Sequence, residues 1–305
     1  MSNSDKKIER ILLIMNPKSG TMQAARYLKD IIQLYSDAGC LTTVLMTQKS
    51  GDAREFAIRY SAEVDVVVVS GGDGTLNEVI DGIIAAGTNT KIGYIPSGST
   101  NDFASSVGLP KGIMDAAQVV LTGTPTAFDI GSFNGRYFSY VASFGAFTST
   151  SYSVPQNLKN IMGHTAYVLQ GIRDIVNIKK IWARITTDEG TPNEEVHEGY
   201  YIFGAVCNST SVGGLLKLDN FDVDMNDGMM EVLLIESPAS LLEVNEMGMA
   251  LLSGSLDAPN IKFFSARNIK VEIQEDTHWT LDGEYEEGAE NIQIDTLRSA
   301  VTLIV

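Results

Sequence analysis

The sequence predicts an α/β protein in two parts: an N-terminal domain with a parallel sheet, then a C-terminal domain in which antiparallel strands form a sandwich. Three observations carry that expectation. Strand and helix signals alternate strictly over the first 130 residues, and such alternation implies right-handed crossovers and a parallel sheet. The aliphatic run Val64-Asp65-Val66-Val67-Val68-Val69 has the pattern of a strand buried on both faces. Beyond about residue 130 the chain turns to short strand-like runs separated by turn residues. The boundaries drawn are 1–130 and 131–305, with the extreme C-terminus free to return to the first domain.

Ile11-Leu12-Leu13-Ile14-Met15 reads as the first strand, ending in Asn16-Pro17-Lys18-Ser19-Gly20. A helix is expected from Met22 to Asp37, with Ala25, Leu28, Ile31, Ile32 and Tyr35 on one side. Thr42 to Met46 is the second strand and Asp52 to Ala62 the next helix, begun by Gly51-Asp52. The aliphatic run is the third strand and leads into Ser70-Gly71-Gly72-Asp73-Gly74-Thr75-Leu76-Asn77-Glu78. Leu76, Val79, Ile80, Ile83 and Ile84 then recur at helical spacing. Lys91 to Ile95 is the fourth strand, followed by Pro96-Ser97-Gly98-Ser99-Thr100-Asn101-Asp102-Phe103, and a helix over 113–121 closes the series.

In the second part Asn134-Gly135 lies between strand-like runs and signals a hairpin. Helical pattern returns over Leu158 to Val176 and, more weakly, Leu241 to Leu252. Strands are expected at 181–187, 198–207, 230–234, 268–273, 278–281 and 300–305, with turns at Asp227-Gly228 and Asp282-Gly283. A cleft between two such domains is the natural place for a substrate.

Composition narrows the function. Twenty-two Lys+Arg against 38 Asp+Glu give a formal charge of -16, which argues against nucleic acid as a partner. Cys40 and Cys207 stand apart, with no metal spacing, and read as reduced residues of a cytosolic protein. The first apolar run stops at Asn16-Pro17, too short for a signal-peptide core, and nothing later has the length of a membrane span. The expectation is a soluble, cytoplasmic protein.

Ligands of parallel sheets bind beyond the carboxyl ends of the strands. Three polar, glycine-containing loops, 16–20, 70–75 and 96–102, fall at three such ends. Glycines at a strand-to-helix junction let backbone N–H groups approach a ligand closely, and a helix N-terminus favours negative charge. The feature therefore points to bound phosphate. It is neither a Walker A loop nor Gly-x-Gly-x-x-Gly, because Asn77 stands where the last glycine belongs.

Asp73 and Asp102 beside a phosphate cradle call for a cation between, which suggests Mg²⁺. Asn101-Asp102 could equally cap the next helix; Asp73, flanked by glycines, fits that role less well. Trp279-Thr280-Leu281-Asp282-Gly283-Glu284 ends a strand with two carboxylates, and phosphoryl transfer to an alcohol needs a base. On residues alone a hairpin turn accounts for Asp282-Gly283, and an acidic turn accounts for the oxygen-rich run 222–229. His164, His197 and His278 do not cluster. Ser97 and Ser99 do not form a nucleophile elbow. Phe138, Tyr140, Phe144 and Phe147 read as core residues that could also line an acyl pocket.

Together, Asn16 to Gly20, Gly71 to Glu78 and Pro96 to Phe103 resemble the loops of the bacterial diacylglycerol kinase-like lipid kinases, relatives of the sphingosine and ceramide kinases. The resemblance continues through Tyr152 to Tyr167, Asp227-Gly228 and Leu281-Asp282-Gly283-Glu284, in the family's order. It implies an NAD kinase-like nucleotide domain and a β-sandwich domain bearing the lipid site. By position, ATP would contact Asn16, Pro17, Lys18, Ser19, Gly20, Thr47, Gly72, Asp73, Gly74, Thr75, Leu76, Asn77, Glu78, and Ser99 or Thr100. Asp282 would be the catalytic base, with Asp73 and Asp102 near the Mg²⁺ of the nucleotide. Asp224, Asp227 and the Met229 carbonyl would hold a second, structural Mg²⁺. Ser99 departs from the family's usual Gly-Thr-x-Asn-Asp and keeps the hydroxyl. Implied partners are a lipid met transiently at a membrane surface, for which Lys159, Lys179, Lys180 and Arg184 are the local basic candidates, with room for a homodimer. The reaction implied is phosphorylation of a primary lipid hydroxyl, diacylglycerol to phosphatidic acid. The rivals are an NAD kinase-like enzyme and a non-catalytic lipid-binding regulator on the same fold.

Overall fold

Apolar residues that alternate with nothing polar can only be satisfied by cover on both sides, and the first unit provides it. The computed structural model describes residues 7–20, 24–99, 101–146, 179–209, 211–212, 216–217, 223–253, 255–274 and 276–305. Strands β1 (Arg10–Met15), β2 (Leu41–Met46), β3 (Val66–Gly71) and β4 (Lys91–Pro96) pair in parallel in the order β4-β3-β1-β2. All six residues of β3 are buried, whereas β2, at the sheet edge, is only partly covered. The helices are α1 (Leu28–Asp37), α2 (Asp52–Tyr60), α3 (Asp73–Ala86), α4 (Asp102–Ser106) and α5 (Ile113–Thr122). Ile31 and Tyr35 of α1 and Ala116, Ala117 and Val120 of α5 pack with β1 and β3 residues in one core.

Local chemistry sets the ends of these elements. The helix expected from residue 22 begins instead as a 3₁₀ turn over Ala24–Tyr27, and Met22 lies outside the described residues. Ser70 and Gly71, expected in a loop, complete β3, and Asp73 to Thr75 form the first turn of α3, with Gly72 alone at the junction. Gly87 closes α3 in the left-handed conformation, φ 65°. The expected helix over 158–176 lies outside the described residues.

One compact unit comprises the residues up to Ile130 together with Arg298–Val305; the other is Gly131–Leu297. Strand β5 (Pro125–Phe133) turns through Asn134 and Gly135, at φ 47° and 89°, into β6 (Arg136–Phe138). Positive φ at both central residues is the type I′ hairpin that Asn-Gly predicts. The second unit continues with β7 (Val141–Gly145), β8 (Ile181–Thr187), β9 (Glu195–Cys207), β10 (Ser211–Val212), β11 (Leu216–Lys217), β12 (Met230–Glu236), α6 (Leu241–Ser253), β13 (Ile261–Ala266), β14 (Asn268–Ile273), β15 (Trp279–Leu281), β16 (Glu284–Glu286) and the first half of β17 (Asn291–Ile304).

Its strands pair antiparallel and form a β-sandwich. The N-terminal half of β9 pairs with β8, and its C-terminal half lies between β7 and β12. Trp279, fully buried, packs its ring 5.0 Å from Phe133 and 4.8 Å from Phe144, measured between centroids. Phe138, Tyr140 and Phe144 are buried, as expected; Phe147 lies outside the described residues. Strand β17 is longer than its expected segment, 300–305, because its first half pairs with β14 while Leu303 and Ile304 pair in parallel with Ile92 and Gly93 of β4. No helix among the described residues is long and apolar enough to cross a membrane.

Gly82 of α3 faces α2 so closely that a Cβ there would stand 2.6 Å from both the Ala57 Cβ and the Arg54 carbonyl oxygen. Main chain cannot yield cheaply, so Gly82→Ala should separate the two helices. The expected cost is about 1–3 kcal/mol, read as a lowered midpoint in thermal denaturation with far-ultraviolet dichroism unchanged.

Candidate active site

The parallel register fixes where the three loops begin. Met15 is level with Met46 on one side and with Ser70 on the other, and Ser70 is level with Ile95. Chain leaving this row therefore emerges at one edge of the sheet as Asn16, Thr47, Gly71 and Pro96. Backbone bonds carry the alignment past the row: Thr47 N–H to the Met15 carbonyl (2.9 Å), Asn16 N–H to Ser70 (2.8 Å) and Ser97 N–H to Gly71 (2.8 Å). A cavity of about 440 Å³ lined by Ile8, Asp65, Thr90 and Lys91 opens at the opposite, amino ends of these strands.

Side chains then tie the loops to one another. Asn16 Nδ2 donates to Thr75 Oγ1 (3.1 Å), and its Oδ1 accepts from the Lys18 N–H (3.0 Å). The Ser19 and Ser97 hydroxyls are 2.8 Å apart. Gly72 and Gly98 meet main chain to main chain: a Cβ on Gly98 would lie 2.6 Å from the Gly72 Cα. Only glycine permits that approach. Asn101, at φ 53°, returns its side chain to accept from the Gly98 N–H and donate to the Gly98 carbonyl, both at 2.9 Å. The loop is thus closed on itself and fixed against Gly72. Ser99 lies in this closed loop, and Thr100 lies outside the described residues.

Asp73 and Asp102 are brought together. The Asp102 N–H donates to Asp73 Oδ2 at 3.3 Å, and the buried Tyr94 hydroxyl lies 3.5 Å from Asp73 Oδ1 and 3.3 Å from Asn101 Oδ1. Burial, reinforced by the Asp73 charge, raises the Tyr94 phenol well above its ordinary pKa, so it remains a donor. Burial also raises the Asp102 carboxyl. Asp73 is the first helical residue of α3, and the capping position before it is held by Gly72 with no side-chain cap. Glu78 reaches the start of α2. Its carboxylate accepts from Ser50 Oγ (3.0 Å), the Gly51 N–H (2.8 Å) and the Ala53 N–H (3.1 Å), which satisfies the start of α2. Gly74, Leu76 and Asn77 share the first turns of α3 with Thr75, and Pro17 and Gly20 bracket Lys18 and Ser19.

In the second unit Asp282 and Gly283 form a type I′ turn, φ 51° and 82°, joining β15 to β16. The hairpin reading is right, and it is not the whole role of the residue. Asp282 is 6% exposed, and its carboxylate is ringed by one short segment. Oδ2 accepts from the Ser139 N–H (2.6 Å) and Ser139 Oγ (2.8 Å); Oδ1 accepts from the N–H groups of Tyr140 and Val141, both at 3.0 Å. Burial pushes this carboxyl above its ordinary pKa while the four donors pull it down. Arg136 clamps the neighbouring turn, reaching Glu284 Oε2 at 3.0 Å and also Glu286.

The other acidic group is local. The Asn226 N–H donates to Asp224 Oδ1 (3.1 Å) and the Met229 N–H to Asp227 Oδ1 (2.9 Å), with Gly228 at φ 85°. Two carboxylates and a carbonyl are hard oxygen donors, the chemistry that suits Mg²⁺. Among the described residues no three His, Cys, Asp or Glu side chains converge as a metal cage.

Comparison with known proteins decides the family. Residues 10–133 match the model of the diacylglycerol kinase catalytic domain, and residues 142–305 match that of the YegS C-terminal NAD kinase beta sandwich-like domain. A diacylglycerol kinase of Bacillus subtilis (strain 168) is 34% identical over 284 residues, covering 91% of this chain and 90% of the relative.

The chain belongs to the diacylglycerol kinase family.

A diacylglycerol kinase of Staphylococcus saprophyticus is 35% identical over 279 residues, 91% of this chain and 89% of that one. A solved structure from Bacillus anthracis str. Sterne superposes with a TM-score of 0.81 at 25% identity, over 99% of this chain and 98% of the other. A second, described as a diacylglycerol kinase from the same organism, gives 0.75 at 23%, over 98% and 97%, and speaks for the fold. The chain is a lipid kinase, and membership of this kinase family implies ATP and a lipid as its two substrates.

Sequence reasoning missed Tyr94, whose only signal was a single aromatic in an aliphatic strand, and the donor segment 139–141, which has no signature beyond following Asn134-Gly135. Removing the acceptor should show how much that segment depends on it. Asp282→Ala leaves three N–H groups and a hydroxyl without their partner, at an expected cost of about 3 kcal/mol. The urea midpoint should fall accordingly, and by less in Asp282→Asn, which keeps one acceptor oxygen and tolerates positive φ.

Proposed function

We propose that this member of the diacylglycerol kinase family transfers the γ-phosphate of ATP to the primary hydroxyl of diacylglycerol, giving phosphatidic acid and ADP. The observation that carries the choice of acceptor is the 34% identity to the Bacillus subtilis diacylglycerol kinase across nine-tenths of both chains. Glycine-rich main chain at Gly72 and Gly98 suits close approach of phosphate, and the N-terminus of α3 suits its charge. In this reading Asn16 to Gly20, Thr47, Gly72 to Glu78 and Ser99 or Thr100 surround the nucleotide.

The chemistry follows from charge. The Asp73 carboxylate accepts the Asp102 backbone N–H, and burial raises the Asp102 carboxyl; the two residues together suit a Mg²⁺ accompanying the triphosphate. Such an ion would neutralise charge developing on the transferring phosphoryl group. Asp224, Asp227 and the Met229 carbonyl suit a separate structural Mg²⁺. Asp282 accepts the proton of the attacking lipid hydroxyl, and its raised pKa moves it toward the range in which a general base works. The acceptor lies in membrane, so contact with a lipid surface is part of each turnover. The NAD kinase-like and non-catalytic alternatives give different readouts in the same assay.

With labelled ATP and a panel of diacylglycerol, ceramide, sphingosine and NAD, label should pass to diacylglycerol. Asp282→Asn should lose transfer by at least 100-fold, the order typical of a general base, while nucleotide binding persists. Undiminished transfer would remove Asp282 from the mechanism. Gly98→Ala should weaken a fluorescent ATP analogue by tenfold or more, because its Cβ would press on Gly72 and Asn101; equal binding would place the nucleotide elsewhere.

A further inference from the structure

Tyr94 is a phenol in a stretch of sheet whose packing calls only for an apolar ring. It stands in β4 beside the buried Ile95, level with Val69 of β3, and is 1% exposed. A phenylalanine would fill the same space, and burying a hydroxyl is costly unless it finds a partner. Both of its partners belong to the loops that leave the sheet just beyond it. Asp73 Oδ1, in the first turn of α3, lies at 3.5 Å, and Asn101 Oδ1, at the cap of α4, at 3.3 Å. An O–H···O bond is ordinarily about 2.7–2.8 Å long. A hydroxyl placed for stability would close on one acceptor; this one has a single proton and stands between two. The acceptors differ in what else holds them. Asn101 is already fixed by its own loop, through two bonds of 2.9 Å to Gly98. Asp73 is charged, and a hydrogen bond to an ionised acceptor is the stronger kind, which outweighs the small difference in distance. Its Oδ2 receives the Asp102 N–H at 3.3 Å. With Tyr94 donating to Oδ1, the carboxylate has a donor on each oxygen, and its rotation about the last side-chain bond is fixed.

We propose that Tyr94 is a positioning residue for nucleotide binding: from within the sheet its hydroxyl holds Asp73 Oδ1 and so sets how that carboxylate meets the divalent cation carried by the nucleotide. The idea rests on the reading of Gly72 to Glu78 and the 96–102 loop as the nucleotide site. Tyr94 acts through Asp73 and not on the phosphates themselves. The direction of the effect follows. Without the hydroxyl, Oδ1 loses a donor and the carboxylate turns more freely. The entropy of fixing it is then charged to the binding of nucleotide with its cation. Nucleotide without a cation makes no use of that orientation and keeps its affinity.

ADP is the probe, titrated calorimetrically into the whole chain, once with excess Mg²⁺ and once with excess EDTA. The proteins compared are the wild type, Tyr94→Phe, Tyr94→4-aminophenylalanine, Asp73→Asn and the pair Tyr94→Phe with Asp73→Asn. Tyr94→Phe keeps the ring, and thermal midpoints taken alongside report on the core. In Tyr94→Phe, ADP with Mg²⁺ should bind about fivefold more weakly, the order of one ordinary hydrogen bond, while its affinity in EDTA stays. Tyr94→4-aminophenylalanine, which carries an N–H donor at the same place, should recover most of the loss. Beside Asp73→Asn, the Tyr94 substitution should have no further effect, because the two act through one contact. In steady-state transfer the KM for ATP should rise with the loss of affinity, and the KM for diacylglycerol should not. Equal affinity for ADP with Mg²⁺ in wild type and Tyr94→Phe overturns the proposal. A loss of the same size in EDTA, or one that persists beside Asp73→Asn, also overturns it, since either assigns Tyr94 to packing alone. A wild type that binds no ADP, or binds it alike with Mg²⁺ and with EDTA, overturns the underlying reading of the loops, and the proposal with it.

Discussion

Everything built at the first unit's ligand-facing edge depends on the register of its parallel sheet. Met46, Met15, Ser70 and Ile95 form one row across β2, β1, β3 and β4, so four segments far apart in sequence leave the sheet at one height. A slip of one residue in any pair would turn its side chains to the opposite face. It would also carry its loop off the row. The burial of β3 on both faces enforces that register, since every residue from Val66 to Gly71 would lose its cover by moving. Hydrophobic pattern and site geometry are here one constraint.

The second unit sets charge against burial. Its core places Trp279 among Phe133 and Phe144 and so fixes the strand that delivers Asp282 to a turn. A carboxylate sunk that deep would ordinarily take a proton, and the donors at 139–141 are what oppose this. The same four bonds fasten the tip of the β15–β16 hairpin to the segment joining β6 to β7, and Arg136 of β6 adds a bond to Glu284. Asp282 is therefore fastened by the contacts that join these segments, so its variants have to be read for stability as well as for transfer.

What the sequence made legible follows from the range of each interaction. Alternating strands and helices, the Asn134-Gly135 turn and the Asp282-Gly283 turn are local patterns, and each lies where the pattern placed it. The grouping of loops 16–20, 70–75 and 96–102 was legible because carboxyl ends of parallel strands share an edge. The start of α1 was misread because apolar spacing alone cannot tell a 3₁₀ turn from an α-helical one. That Gly51 and Ala53, some 25 residues earlier, donate to the Glu78 carboxylate has no signal at its own position. The partners of Asp282 were invisible for the same reason, being 141 to 143 residues away.

The long strand β17 gives the chain order its physical sense. After Ile130 the chain leaves the first unit, and it comes back only at Arg298. The returning eight residues are a structural part of the first sheet: Leu303 and Ile304 extend it beside β4, Thr124 and Val305 exchange two backbone bonds, and the Ser299 N–H meets Asp129 Oδ1 at 2.6 Å. The first unit is thus incomplete until the last residue is in place, and the sandwich forms as an insertion within it. The hairpin bearing Asp282 comes only a few residues before that closing strand. The order of the sequence therefore completes the β15–β16 hairpin and the sheet edge in a single stretch of chain.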